Sequence, residues 1–403
     1  MTLDKQHGST TLIGLDDMKA LIYGSCFLAS GGGGPISMAL NFLQRIHNPV
    51  PLLTTGALAS GKKVAIVADL GSPDKAAEGF GYSAPVNAYQ ALDAYLQQTE
   101  NKNIAYFLPA EIGAVNTLIP FFIASQFNPP LAVVDADPSG RAVPQMNESM
   151  LDVNNVPSCP AVIASDTRDD SRCQWSNGNY VSHLFTGLTP TQLEDAARIE
   201  VSKPVYNQVG GMACWPMDSD FLHSEDSDTA VIRGSVNAAI QVGRTLLNCP
   251  TPSMLAETLN GLNIDWYVLD NGLIENLVNR TSAGFDVGKI VLKTMMGELW
   301  IYYKNESLLV WDPQQKQPRI IAPDCINLLR FSDQDRLYGT QPVSTADIRA
   351  GQLVSVWATA CARVMRNPTI ETMFLNDIQQ ISAAFPEDDI HIDHYIPVEQ
   401  LNP

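Results

Sequence analysis

Long apolar runs, basic residues and patterned cysteines are all scarce in this 403-residue chain. No run reaches the roughly 18 apolar residues that a membrane-spanning helix needs. The opening "MTLDKQHGSTTLIG" has no apolar core of signal-peptide length, so the expected compartment is the cytoplasm. Lys and Arg number 25 against 43 acidic residues, a formal net charge of −18. That sign repels phosphate backbones and anionic lipid, so neither a nucleic-acid nor a membrane-surface partner is expected. The seven cysteines, at 26, 159, 173, 214, 249, 325 and 361, are odd in number and never form C-x-x-C. Zinc ribbons and redox pairs are therefore unsupported, and reduced buried thiols are the better reading.

What is present is a globular composition, 45% hydrophobic and 17% charged, on a chain too long for one core. The first half alternates strand-like and helix-like segments. "VAIVADLGSP" (64–73), "IAYFLPAEIG" (104–113) and "LAVVDAD" (131–137) read as strands. Between them, 84–98 places Ala88, Ala91, Leu92, Tyr95 and Leu96 on one helical face, and 114–127 reads as a helix kinked at Pro120. Further helices are expected after the Thr189-Pro190…Gln192 capping box and over 234–247. This alternation predicts an α/β domain with a largely parallel sheet flanked by helices. From about residue 260 the texture changes to short β-branched and aromatic runs such as "ELWIYYKNESLLVW", which predict an all-β domain, a small barrel or sandwich. The expected divisions are 1–255 for the α/β domain, 256–375 for the β domain, and 376–403 for a tail returning to the first.

In an open parallel sheet, ligands bind beyond the carboxyl ends of the strands. Three such ends deliver Asp69, Glu111, and the pair Asp135 and Asp137 toward one rim. Asp135 and Asp137 share a side because strand side chains alternate with period two. Gly140 permits a turn that brings Arg141 back over them. The bland alternative is that Asp137-Pro138-Ser139-Gly140 is only a turn built from its usual residues. A second feature is "SGGGGP" (30–35), where four bare glycine amides before a helix make an anion nest, or else a close-packed or flexible loop. It lacks the lysine of a Walker A loop and the third glycine of G-x-G-x-x-G, so no nucleotide is expected. "HIDH" (391–394) looks too extended for a metal pair, and Cys214 lacks any nucleophile signature and reads as core.

In series, "LASGGGGP", "PAEIGAVNTLIP", "VVDADPSGRAVPQM", "GFDVGKIVL", "YYKNESLLV" and "AFPEDDIHIDHYIPVE" resemble the S-methyl-thiohydantoin desulfurase family, associated with hydantoinase and oxoprolinase systems. The likeness runs over nearly the whole chain and is most specific in Glu111-Ile-Gly-x-x-Asn116 and Asp135-Ala-Asp137-x-x-Gly140-Arg141-Ala. The chain departs from the family pattern at Ala29-Ser30 (usually Gly-Thr), at Gly79 (a lysine after Glu78), at Ala114 (a glycine) and at Gln145 (a glutamate). The resemblance implies hydrolysis at a five-membered cyclic ureide, water replacing sulfur at the carbon between two ring nitrogens. On that reading Glu111, Asp135 and Asp137 activate water, alone or with a divalent metal held by Asp135 and Asp137. Ser30, Gly31, Gly32, Gly33, Gly34, Glu78, Asn116 and Arg141 contact substrate, Arg141 through a ring carboxylate. The expected partner is a small molecule and the expected assembly a homodimer. The alternative is a ligand-binding or accessory subunit without turnover, favoured by the missing lysine and carboxylate.

Overall fold

The computed structural model describes residues 8–71, 81–169, 174–248, 251–282, 285–331 and 339–402. Its first sheet has eight strands in the spatial order Thr10–Ile13, Val50–Leu53, Ala132–Val134, Ile104–Pro109, Lys63–Gly71, Val209–Asp218, Ala161–Ala164 and Ser182–Phe185. The four strands from Val50–Leu53 to Lys63–Gly71 are mutually parallel, and every other pairing in the sheet is antiparallel. Five of the eight strands therefore point one way. The antiparallel flank at Val209–Asp218 and beyond comes from chain that sequence pattern did not mark as strand.

Helices cover both faces, as alternating segments require. Leu15–Leu28, Ala84–Glu100, Ile119–Ser125 and Ser235–Leu247 bury apolar stripes, among them Leu21, Leu92, Phe122 and Ile240, against one face. Pro190–Val201 and its neighbours cover the other, where Leu193 and Tyr206 meet Ile66 and Ile163. The Thr189 capping box forms as read, its hydroxyl accepting from the Gln192 amide at 3.3 Å. Pro120 does not kink a helix over 114–127. It lies in the first turn of Ile119–Ser125, where a missing N–H is not needed, and residues before it remain a turn. That correction matters, because the freed turn carries Glu111 and Asn116.

The second sheet is antiparallel throughout, in the order Gln317–Ile321, Glu306–Asp312, Glu298–Lys304, Phe285–Thr294, Trp266–Ser282, Leu353–Thr359, Cys325–Arg330 and Gln341–Pro342. Alternation sorts its side chains: Leu299, Ile301 and Tyr303 enter a core shared with Ile320, Ile326 and Val356, so the sheet curls round its own interior. Tyr302, Leu309 and Trp311 join another cluster, covered by Phe374, Ile378 and Ile381 of the helix Pro368–Ala384. Residues 376–402 lie chiefly there, and Met150 from the first unit completes the cluster. The helix Pro252–Gly261 runs across the expected boundary at 255. Among the described residues no helix is long and apolar enough to cross a membrane.

Candidate functional site

Two parallel strands, Lys63–Gly71 and Ile104–Pro109, carry their carboxyl ends to a cavity of about 340 Å³. Asp69 and Glu111 enter it from the first sheet, Gly33 and Gly34 from the glycine run, and Asn305 and Glu306 from a turn of the second sheet. Apolar and sulfur-bearing walls complete it: Met38, Ile66, Met146, Met212, Cys214 and Trp215. Such a mixture suits a small, largely apolar ring with a few hydrogen-bonding edges. Among its described lining residues are the acids Asp69, Glu111, Glu194 and Glu306 and no Lys, Arg or His.

Glu111 is buried and fixed on both oxygens. Asn116 Nδ2 donates to Oε1 at 2.7 Å, and the Val143 amide donates to Oε2 at 2.7 Å. Burial raises its pKa from 4.5, the two hydrogen bonds hold it down, the charge of Asp137 raises it and Arg141 lowers it, leaving about 7. The turn bearing these residues is locked by Thr117, whose hydroxyl accepts from the Gly113 amide at 2.9 Å.

Glu306 was not foreseen. It is buried, its Oε2 has no hydrogen-bond partner among the described residues, and it lines both this cavity and a second one of about 400 Å³. Burial raises its pKa well above the ordinary range, the charge of Glu111 adds to that, and Arg141 opposes it. A glutamate heading the otherwise apolar run "SLLVW" was the available signal, because an acid in a buried strand needs a reason. Asp69, expected at the rim from its place at a strand end, is also raised well above its ordinary range, by burial and then by Asp166. Trp215, another unforeseen wall, holds a left-handed φ of 45°, rare for a bulky residue and suggestive of a functional constraint.

The glycine run reaches the cavity, but it is not a solvent-lined loop. A Cβ on Gly33 would overlap the Cα of Gly113, and one on Gly32 would overlap the Glu306 side chain. Gly33 has a φ of 68°, and its carbonyl accepts from the Val115 amide at 2.9 Å. Gly31 and Gly32 line the second cavity, while Gly33 and Gly34 line both. Ser30 is fully buried: its hydroxyl accepts from the Ile326 amide at 2.9 Å and its carbonyl from Ser307 at 2.8 Å. The expected substrate contact at Ser30 is thus replaced by a clamp that ties the loop after Leu15–Leu28 to the second sheet.

The 135–141 stretch calls for similar corrections. Asp135 Oδ1 accepts from the Asn237 amide at 2.9 Å, capping the helix Ser235–Leu247, and it does not line the cavity. Asp137 is completely buried and folds its own turn, Oδ2 accepting from Ser139 at 2.9 Å and Gly140 at 2.6 Å. Burial raises its pKa to about 6 against the Ser235 hydroxyl and those amides. Asp135 Oδ1 and Asp137 Oδ2 are committed to backbone donors, Asp137 Oδ1 is buried without a partner among the described residues, and no group of three His, Cys, Asp or Glu among them is placed to hold an ion. The expected metal pair is therefore not formed by this geometry.

Arg141 is fully buried too. Its guanidinium donates to the carbonyls of Ala142 (2.9 Å), Pro323 (2.8 Å), Asp324 (3.1 Å) and Ser307 (3.2 Å), and lies over Phe374. It joins the sheets instead of receiving a ring carboxylate. Glu78 lies outside the described residues. Cys214 is core, as read, with burial raising its thiol pKa, and His391 is exposed beside Asp389.

Residues 16–173 match the family described as "S-Me-THD-like, N-terminal domain", and residues 189–373 the one described as "S-Me-THD-like, C-terminal domain". No curated protein matches. A crystal structure of a protein from Chromobacterium violaceum superposes with a TM-score of 0.75 at 24% identity, covering 96% of this chain and 100% of that one. That likeness shows the fold.

Proposed function

We propose that this chain, which belongs to the S-Me-THD-like family, is a hydrolase acting on a thiohydantoin-type cyclic ureide, with Glu111 as the base that activates water. The observation carrying this is the state of Glu111: a cavity-lining carboxylate, fixed on both oxygens and poised at about 7. A general base works best when its pKa lies near the working pH. The acid-rich lining favours a ring that presents N–H donors, and the methionine and tryptophan walls offer polarizable surface to a sulfur substituent. Water adds to the carbon between the ring nitrogens, sulfur leaves as a thiol, and a carbonyl remains.

The test is release of thiol from S-alkylated thiohydantoins and of hydrogen sulfide from free ones, with hydantoin as the control, by wild type and Glu111→Gln. Release by wild type and its loss of at least about 100-fold in the variant are expected. Ring binding without thiol release would move the reading to the ligand-binding or accessory alternative.

A further inference from the structure

Glu306 has no role in that scheme, yet its position is hard to explain as packing. It sits just after the tight turn at Asn305, whose φ is 60°, on the wall between cavities of about 340 and 400 Å³. Gly32 has no side chain where Glu306 passes, so the glycine run makes room for this carboxyl group. Its Oε2 is buried without a hydrogen-bond partner among the described residues. A buried polar atom left unsatisfied costs stability unless a ligand or water completes it. Glu148, which lines neither cavity, is by contrast satisfied, its Oε2 accepting from the Gln145 amide at 3.1 Å.

We propose that Glu306 is the acid that protonates the departing sulfur, working opposite Glu111 across the same cavity. This rests on the hydrolase reading above. As the water oxygen bonds to the ring carbon, Glu111 takes one water proton and passes it to the ring nitrogen whose double bond opens. The carbon–sulfur bond then breaks with its electron pair going to sulfur, and Glu306 supplies the proton that makes a neutral thiol. The remaining hydroxyl proton returns to Glu306 as the carbonyl forms, so both carboxyl groups end as they began. The neutral form that this role needs is the one burial favours at this position.

A proton donor to the leaving group is needed most when that group is a poor one. With an S-methyl probe, Glu306→Gln is expected to lower kcat/KM by about 10²–10⁴-fold, and with an S-(4-nitrophenyl) probe, whose thiolate leaves unaided, by less than about 10-fold. Glu306→Asp, which keeps a proton to give, is expected to recover part of the S-methyl rate. Glu111→Gln should depress both probes alike. Wild type itself should show only a shallow dependence of kcat/KM on leaving-thiol acidity, a measurement that does not depend on any variant folding. Equal losses on the two probes in Glu306→Gln, or a steep dependence in wild type, would overturn the role of Glu306 while leaving hydrolysis standing. Failure of wild type to release thiol from either probe would overturn the hydrolase reading itself, and this role with it.

Discussion

The turns after Ile104–Pro109 and Ala132–Val134 leave adjacent parallel strands, and each carries an acid within its first two residues, yet they have become different things. In 111–116 the carboxylate of Glu111 faces a cavity and is held by an amide side chain and one backbone N–H. In 135–141 one oxygen each of Asp135 and Asp137 accepts from the amides of Asn237, Ser139 and Gly140, and the guanidinium of Arg141 donates to four carbonyls. The chain that follows then delivers the Val143 amide to Glu111. The second turn is thus scaffold for the first. Having donors does not separate the two, since Glu111 is held on both oxygens as well; what separates them is that Glu111 lines the cavity, where a ligand can meet it, and Asp135 and Asp137 do not.

The sharpest test of this division pairs two substitutions. Glu111→Gln is expected to lower turnover by about 10²–10⁴-fold with the fold intact. Asp135→Ala should leave turnover within about threefold and instead weaken folding by about 0.5–2 kcal/mol, the usual loss for a capping acceptor. Steady-state kinetics and urea unfolding on both proteins measure the contrast, and equal kinetic damage from the two would break it. Arg141→Met should weaken folding by about 3–5 kcal/mol, because it strands four buried carbonyls, and should also move the activity limb to higher pH, because it removes a cation that lowers Glu111. Retention of the wild-type urea midpoint would mean that Arg141 is not the clamp described.

Gly33→Val probes the wall shared by both regions. Contact with Gly113 and the left-handed backbone should together destabilise the protein by about 2–4 kcal/mol. Loss of ligand binding at unchanged stability would instead restore the picture of an open loop.

A pH titration sharpens the comparison further. Because burial raises Glu111 from 4.5 to about 7, the folded state keeps a proton there in a window where the unfolded chain has lost it. Stability from this group is therefore full at the acid end and falls as pH rises to about 7, by on the order of 3 kcal/mol. Glu111→Gln should remove that slope, visible as unfolding midpoints that converge or diverge with wild type between pH 4 and 8. Turnover should follow the opposite course, rising to a plateau above about pH 7. The smallest effect is expected from Asn116→Ala, which deletes one bond to the ionised form and should move the activity limb to higher pH by less than about one unit. A shift toward lower pH would contradict the role given to Asn116.

Much was determined by the sequence alone. Periodicity marked the helices Ala84–Glu100 and Ser235–Leu247, turn chemistry marked the cap at Thr189, and β-branched runs marked the second sheet. These are local effects, in which a residue and its neighbours within a turn or a strand carry the information. Glu111 was legible as a cavity residue too, because the end of a parallel strand is where such a sheet exposes its ligand-binding edge, whereas Asn116 was pointed to only by the family resemblance. The fates of Asp135, Asp137 and Arg141 were not, because a carboxylate or guanidinium has the same appearance whether its partner is a substrate or a backbone group far along the chain. Arg141 finds carbonyls at 307, 323 and 324, and Asp135 finds the amide of residue 237. Glu306 comes to the cavity only because the second sheet packs its Asn305 turn against the glycine run. Tertiary structure alone decided which acids were satisfied by backbone and which were left facing a cavity, since that depends on donors contributed from elsewhere in the chain and on the water their packing excludes.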